Sequence, residues 1–180
     1  MNILKQSEFT AALKAGLNFA HFGHVQIGIQ PLHRKGQDVV VFSCVFDRRW
    51  KTFHKALIGG CQGTLAYGPI SWSCVPDFSI SLDDPNAINA LMLGIQTHGY
   101  DDFEDNSNNV AIHWRCVIKF YKKTTPSVVQ QVSETSEFTT LITHDYGLNL
   151  VAPQMISRRD LKLPTEWVTN WASIHTSPCP

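Results

Sequence analysis

Residues 22–50, FGHVQIGIQPLHRKGQDVVVFSCVFDRRW, decide the fold class of this chain. Val25, Ile27 and Ile29 alternate with polar or small residues, which is the period of a half-buried β-strand. The run 39–46 is rich in β-branched and aromatic residues and predicts a second strand that is buried on much of both faces. Residues 31–38 join the two runs. We interpret the stretch as a β-hairpin with a basic tip and an acid, Asp47, at its far end.

Such a hairpin does not indicate a substrate pocket. It indicates the edge of a β-domain that contacts a polyanion or other copies of itself.

The composition predicts one globular domain. The chain has 180 residues, of which 43% are hydrophobic and 17% are charged. Its 15 basic and 15 acidic residues give a formal net charge of +0, so any attraction to nucleic acid or to anionic membranes must come from local patches. No apolar run approaches the roughly 18–20 residues that span a bilayer, and residues 1–16 lack the features of a secretory signal. We therefore expect cytoplasmic synthesis without secretion.

The cysteine and histidine spacings indicate neither disulfides nor a metal centre. The five cysteines are widely spaced and include no C-x-x-C motif, so we expect reduced thiols, with Cys44 and Cys116 as small core residues. The pairs His21/His24 and His113/Cys116 have no matching second half of a metal site. No nucleophile elbow or phosphate-binding glycine loop is present, so we predict no catalytic residues, no metal and no cofactor.

Short strands separated by turn residues predict a mainly β fold. We expect an antiparallel β-sandwich, jelly-roll-like, with one or two short helices. The predicted helices are 8–14, capped by Ser7, and a short one that begins after Asp83 or Asp84; residues 50–58 are expected to form a helical turn or an irregular crossing. The predicted strands are 17–30, 39–46, 59–67, 70–75, 78–82, 93–97, 110–121 and 138–143. We expect a helical extension over 1–16, the sandwich over 17–145 and a C-terminal arm over 146–180.

Three stretches together resemble a known family. They are HFGHVQIGIQPLHRKG at 21–36, VVVFSCVFDRR at 39–49, and GTLAYGPISWSCVPDFSISLDDPNAINALMLGIQTHGY at 63–100. Their order and spacing resemble the core of plant viral movement proteins of the thirty-kilodalton superfamily, nearest to those of pararetroviruses (caulimovirids) and their genome-integrated relatives. TTLITH at 139–144 and LPTEW at 163–167 resemble the C-terminal part of that family, so the resemblance covers about residues 17–167.

The resemblance implies a site and a role. The family signature, an acid at a strand end in the form D-x-R, falls on Asp47 and Arg49, and its turn falls on Gly68 and Pro69. The implied role is non-enzymatic: transport of a viral genome or particle from cell to cell through plasmodesmata. The implied partners are single-stranded nucleic acid (DNA or RNA), further copies of the chain in an oligomer or tubule, the host membrane by peripheral association, and host plasmodesmal proteins.

Basic residues near aromatic ones form the expected nucleic-acid surface, because cations neutralise phosphates and aromatic rings stack on bases. His33 and its neighbours are expected to meet Trp50, Phe53 and His54 in two nearby loops. The residues assigned to this surface are Arg34, Lys35, Arg48, Arg49, Lys51, Lys55, Lys122 and Lys123. A second candidate combines Lys119, Lys122 and Lys123 with Tyr121, and a weaker one contains Arg158, Arg159 and Lys162.

For the same residues, purely structural interpretations remain open at this point. Asp47 is either a targeting or assembly site or a strand-end acid that caps a turn or pairs with an arginine. The basic loops are either a binding surface or solvated loops. At the level of the whole chain, the alternatives are a jelly-roll capsid-like protein that only self-assembles, and an inactive integrated copy.

Overall fold

Two β-sheets pack face to face around one core. A computed structural model describes residues 1–103, 107–123, 138–145, 150–157, 160–161 and 165–168. The named helices are α1 (Gln6–Lys14) and α2 (Phe53–Ala56), with a 3-10 helix at Ala87–Asn89, and the described residues 165–168 are helical as well. The strands are β1 (Phe19–Pro31), β2 (Val40–Asp47), β3 (Leu57–Thr64), β4 (Ile70–Cys74), β5 (Phe78–Ser81), β6 (Leu91–His98), β7 (Val110–Tyr121), β8 (Phe138–Asp145) and β9 (Leu150–Ser157). The predicted β-sandwich is confirmed, and the jelly-roll connectivity stays a prediction.

Sheet 1 is built around β1. This strand pairs with β7 along one edge, and with β4 and then β5 along the other, all antiparallel. Sheet 2 has the order β6-β2-β3-β8-β9, and its β3–β8 pair is parallel.

The predicted hairpin over residues 22–50 is wrong. β1 and β2 lie in different sheets, and the loop between them crosses from one sheet to the other. β2 is buried from Val41 to Asp47, so it needs cover on both faces and neighbours on both edges. The centre of a sheet between β6 and β3 supplies these, and a terminal hairpin does not.

The core lies between the two sheets. The inward residues of β1, Val25, Ile27 and Ile29, face Val41 and Val45 of β2 within one buried cluster. The alternation in the sequence therefore identified the inner face of β1 correctly, because successive strand residues point to opposite faces.

A second apolar cluster covers the outer face of sheet 2. Phe42, Cys44 and Phe46 of β2 pack there against Phe53 of α2 and against Leu161. Trp167 joins this cluster, with its ring 5.6 Å from that of Phe42. The segment expected to form a C-terminal arm thus contains a strand, β9, and side chains that pack on sheet 2.

The helices differ from their predicted bounds. α1 begins at Gln6 after Lys5, so Ser7 lies inside the first turn and is not the cap. Glu8 accepts a hydrogen bond from the Lys5 backbone N–H at 3.4 Å, which partly satisfies the helix start. The helix predicted after Asp84 is only the short 3-10 turn, where Asp84 Oδ1 accepts from the Asn86 N–H at 2.8 Å.

The strand registers define two ends of the sandwich. The aspartate end contains Asp47, the start of β1 and the end of β7: Phe19 pairs with Tyr121, and Arg49, next to Asp47, lies over Phe78, which pairs with Phe22 of β1. The Gly-Pro end contains the β3–β4 loop, the end of β1 and the start of β2, since the Leu65 N–H donates to the Val39 carbonyl at 2.7 Å. At about 3.3 Å per residue, β2 keeps the two ends roughly 25 Å apart.

Candidate functional site

Asp47 is the last residue of β2 and is only 6% exposed. Its carboxylate receives three hydrogen bonds from one residue, Arg49. The Arg49 backbone N–H and Nε donate to Oδ1 at 3.1 and 2.9 Å, and Nη2 donates to Oδ2 at 2.7 Å. The two side chains thus form a bidentate pair, the strongest geometry for a carboxylate and a guanidinium.

Arg49 also contacts the opposite sheet. Its guanidinium carbon lies 4.8 Å from the ring centre of Phe78, on β5 of sheet 1. Phe78 in turn packs on Phe22 of β1, with ring centres 5.4 Å apart. Asp47 therefore holds Arg49 where it joins the end of β2 to sheet 1. This arrangement explains why the D-x-R spacing suits a strand end: one residue between the two lets the chain turn and the arginine fold back.

The Gly68–Pro69 turn lies at the other end of the sandwich. Gly68 has φ +129°, and a Cβ there would meet nothing within 4 Å, so the backbone conformation and not crowding requires glycine. The turn presents Tyr67, which is 67% exposed. The loop is tied to the basic β1–β2 loop, because the Gly36 N–H donates to the Ala66 carbonyl at 2.8 Å.

The basic loops are not near each other as expected. Arg34 and Lys35 are exposed at the Gly-Pro end, whereas Arg48 and Arg49 follow β2 at the aspartate end. An extended strand separates residues that are close in sequence, which the prediction overlooked. The structure instead brings Arg34 and Lys35 towards the loop that carries Tyr67.

The remaining predicted cations gather at the aspartate end. Lys51 and Lys55 are exposed beside and within α2, and Trp50 is 39% exposed. Lys122 and Lys123 are exposed just after β7, where the Asn18 side-chain amide donates to the Lys122 carbonyl at 3.3 Å. Arg49 differs from the other cations here, since its charge is already paired with Asp47.

Lys119, from the second predicted group, points out of sheet 1 on the same face as Tyr121. Sequence reasoning missed Arg115, which lies on that face as well. The alternation of inward and outward residues over 110–121 was the sequence signal for Arg115, since residues an even number of positions apart on a strand point to the same face. Arg158, Arg159 and Lys162 lie outside the described residues.

The described cysteines are free thiols whose ionisation is suppressed. Burial raises the pKa of Cys61 and of Cys74 to about 12, and that of Cys116 to about 11. Burial also raises the pKa of Cys44. Because the thiolate is the nucleophilic form, these raised pKa values keep the four groups protonated and weakly nucleophilic near neutral pH.

Within the described part of the chain, no helix is long and apolar enough to cross a membrane. No three of its His, Cys, Asp and Glu residues are grouped as a metal site would need.

Comparison of the sequence with known proteins identifies a family for this chain. The profile of the family described as "Viral movement protein (MP)" matches residues 1–136. A protein of Apple chlorotic leaf spot virus (isolate plum P863) that bears a movement-protein name is 27% identical over 132 residues, covering 72% of this chain and 28% of the relative. The genome polyprotein of Petunia vein clearing virus (isolate Shepherd) is 29% identical over 163 residues, covering 86% of the chain and 7% of the polyprotein.

The movement protein of Figwort mosaic virus (strain DxS) is 28% identical over 82 residues, covering 46% of this chain and 25% of the relative. The chain therefore matches less than a third of the length of these curated relatives. No solved structure matches it. The family profile covers three quarters of the chain, including both the Asp47–Arg49 pair and the Gly68–Pro69 turn, and the chain therefore belongs to the viral movement protein family.

Proposed function

We propose that this chain is the core of a movement protein that carries a viral genome or particle between plant cells through plasmodesmata. The family match over residues 1–136 is the observation that carries the proposal. The relatives from Figwort mosaic virus and Cauliflower mosaic virus are named movement proteins, which supports the same activity here.

The partners in this proposal are single-stranded nucleic acid, DNA or RNA, and further copies of the chain in an oligomer or tubule. The other proposed partners are plasmodesmal proteins and the host membrane at the cell periphery, with which the protein associates peripherally. Exposed cations next to exposed aromatic residues support nucleic-acid binding at both ends of the sandwich: Arg34 and Lys35 near Tyr67, and Lys51 near Trp50. Such binding is electrostatic and weakens with salt.

A carrier role also fits the chemistry of the fold. The family suggests a non-enzymatic protein, and the buried thiols, with pKa values of about 11 to 12 at Cys61, Cys74 and Cys116, are not activated nucleophiles.

The role of Asp47 in this proposal is to fix the aspartate end in the form that targets or assembles the protein. The carboxylate orients Arg49 against Phe78, so a change at Asp47 alters the surface that both sheets present there.

The test is microscopy of a fluorescent fusion of the chain in leaf epidermis, beside the Asp47→Ala variant. We expect paired puncta across cell walls with the unaltered chain and their loss in Asp47→Ala. Ile29→Val is the control, because Ile29 is buried in β1 and the change lowers stability by about 1 kcal/mol without touching Asp47. This variant should keep the puncta.

Diffuse signal from the unaltered chain contradicts the proposal. Tubular or particle-like assemblies that lack affinity for nucleic acid would instead favour the capsid-like alternative. Loss of puncta in both variants would assign the effect of Asp47→Ala to stability alone.

A further inference from the structure

Among the described residues, the outer face of sheet 1 is uncovered and largely polar, with Val117 of β7 as an exposed apolar side chain on it. Gln26 and Gln30 of β1, Ser71 and Ser73 of β4, and His113 of β7 are exposed or partly exposed there. The outer face of sheet 2 differs, because α2, Leu161 and Trp167 pack on it. The two faces of the sandwich are thus chemically unlike.

A groove runs along this open face at Gly28. Gly28 is directly opposite Ser71 on β4 and His113 on β7, so the centre of that row has no side chain. The resulting concavity has a volume of about 510 Å³ and is lined by Gln26, Ser71, Ser73, His113 and Arg115, among others. The outward-facing side chains of this lining are hydrogen-bonding groups with one fixed positive charge and no carboxylate, and Ile27, Trp72 and Trp114 lie on the inward face of the same strands.

Cations continue along β7 from the groove. In the register of the sheet, Arg115 is opposite Gln26 and Lys119 is opposite His21. The two cations are four residues apart on one face, which is about 13 Å along the strand. Asp77 is the nearby acid, at the rim, and its carboxylate lies 3.5 Å from His21 Nε2. Val117, which is 57% exposed, lies between the two cations on this face. The face therefore carries two separated positive charges with one acid beside them, although the whole chain has a formal charge of +0.

An aromatic pair follows the cations on the same face. Phe19 and Tyr121 are opposite each other in the register, and their rings stack at 6.0 Å with an interplanar angle of 23°. Both side chains are partly exposed. A polar groove, two cations and a stacked aromatic pair on one sheet face are features with which proteins hold single-stranded nucleic acid.

We propose that the outer face of sheet 1 is the surface that binds single-stranded nucleic acid. The backbone of the strand lies in the Gly28 groove, Arg115 and Lys119 neutralise its phosphates, and bases stack on the Phe19–Tyr121 pair. This inference rests on the proposed function, which requires nucleic-acid binding. It assigns the main binding surface to the sheet face rather than to the exposed cations at the two ends of the sandwich, which then contribute less to affinity. It differs from the sequence-based assignment, which placed the binding surface on the loops.

The test is fluorescence anisotropy of a labelled single-stranded 20-nucleotide probe, titrated with the purified chain at several salt concentrations. The face variant Arg115→Glu/Lys119→Glu and the loop variant Arg34→Glu/Lys35→Glu change the formal charge by the same amount. We expect the face variant to lose at least about tenfold in affinity, and its slope of log K against log salt to fall by about 1.4, or 0.7 for each lost phosphate contact. The loop variant should keep most of its affinity.

A charge-neutral variant tests the groove itself. A Cβ at Gly28 would come no closer than 3.8 Å to His113, so Gly28→Val fits the strand and fills the concavity. We expect it to weaken binding about fivefold or more, with an unchanged salt slope and an unchanged unfolding midpoint in urea.

The outcomes separate the two proposals. Loss of binding in the loop variant, with the face variant and Gly28→Val intact, overturns this inference and leaves the proposed function standing. If the unaltered chain does not bind the probe, this inference fails and nucleic-acid transport is removed from the proposed function as well. Binding of the face to anionic phosphatidylserine vesicles, without binding of the probe, also overturns the inference.

Discussion

At the scale of single residues, the Asp47–Arg49 pair shows that a structural and a functional interpretation of one acid are compatible. The carboxylate is nearly buried, but Arg49 remains 37% exposed, so the pair is only partly shielded from water. Its contribution is mainly geometric: the arginine is held in one orientation over Phe78.

We predict that Asp47→Ala lowers the free energy of unfolding by about 1–2 kcal/mol, because three hydrogen bonds to a charged acceptor are lost at a partly exposed site. Asp47→Asn should lose less, since an amide oxygen can still accept from the Arg49 backbone N–H. Urea unfolding of both variants measures the difference. Equal losses for the two would show that the hydrogen bonds do not matter.

The sequence predicted Asp47 as the signature acid, which stays a prediction, and it missed the contacts of Arg49. Arg49 was expected to bind phosphates, and its bond to Asp47 was only one of the options left open. The contact with Phe78 depends on how two sheets pack, which no local pattern reports. The alternation of polar and apolar residues along β7 would have placed Arg115 on the same outward face as Lys119.

At the scale of elements, the period of hydrophobic residues predicted strands well and their partners poorly. The bounds of β7 were predicted to the residue, because polar and apolar side chains alternate along it. The hairpin of β1 and β2 failed, because strands that follow each other in sequence can join different sheets. Both strands were correct, and only the pairing, a property of the tertiary fold, was not.

Two glycines at the Gly-Pro end give a prediction about turns. Gly36 and Gly99 have similar φ values, +90° and +97°, but different surroundings. A Cβ at Gly36 meets nothing within 4 Å, whereas one at Gly99 would lie 2.7 Å from the Asp38 carbonyl oxygen. Both alanine variants should suffer backbone strain of about 1–2 kcal/mol, and Gly99→Ala should lose a further 1–3 kcal/mol or so from the clash.

Thermal or urea unfolding of the two variants side by side measures this difference. Gly36→Ala serves as the matched control for backbone strain. Equal destabilisation would mean that the Asp38 segment moves aside at little cost.

At the scale of the whole molecule, the sandwich was predictable and its asymmetry was not. Period-2 patterns and frequent turn residues indicated two packed sheets. They did not reveal that one sheet is covered and the other open, because Trp167 reaches Phe42 only in the folded chain. The difference between the two faces supports the proposed nucleic-acid surface on sheet 1.

The buried thiols predict how the stability of the whole domain depends on pH. In the unfolded chain a thiol ionises near pH 8.5, but in the fold the pKa of Cys61 is raised to about 12. The stability that Cys61 contributes is therefore fully present below about pH 8.5 and is lost as the pH rises towards 12. The free energy of unfolding should fall above pH 9, by up to about 1.4 kcal/mol per pH unit for each such thiol.

Urea unfolding in reducing buffer at pH 8, 9 and 10 checks this slope. The matched variant is Cys61→Ala, which removes one thiol and should reduce the slope above pH 9 by about 1 kcal/mol per pH unit. An unchanged slope in Cys61→Ala would show that Cys61 ionises equally in both states.

The parallel pairing of β3 with β8 has a consequence for the newly made chain. β3 ends at Thr64, but the strand that closes its open edge begins at Phe138 and lies beyond the family-matched region. Until that distant segment leaves the ribosome, β3 exposes an unpaired row of backbone N–H and carbonyl groups. During this interval, β8 from a longer neighbouring chain can pair with the open edge before the chain's own β8 is available, which makes strand exchange between growing chains a hazard of the topology.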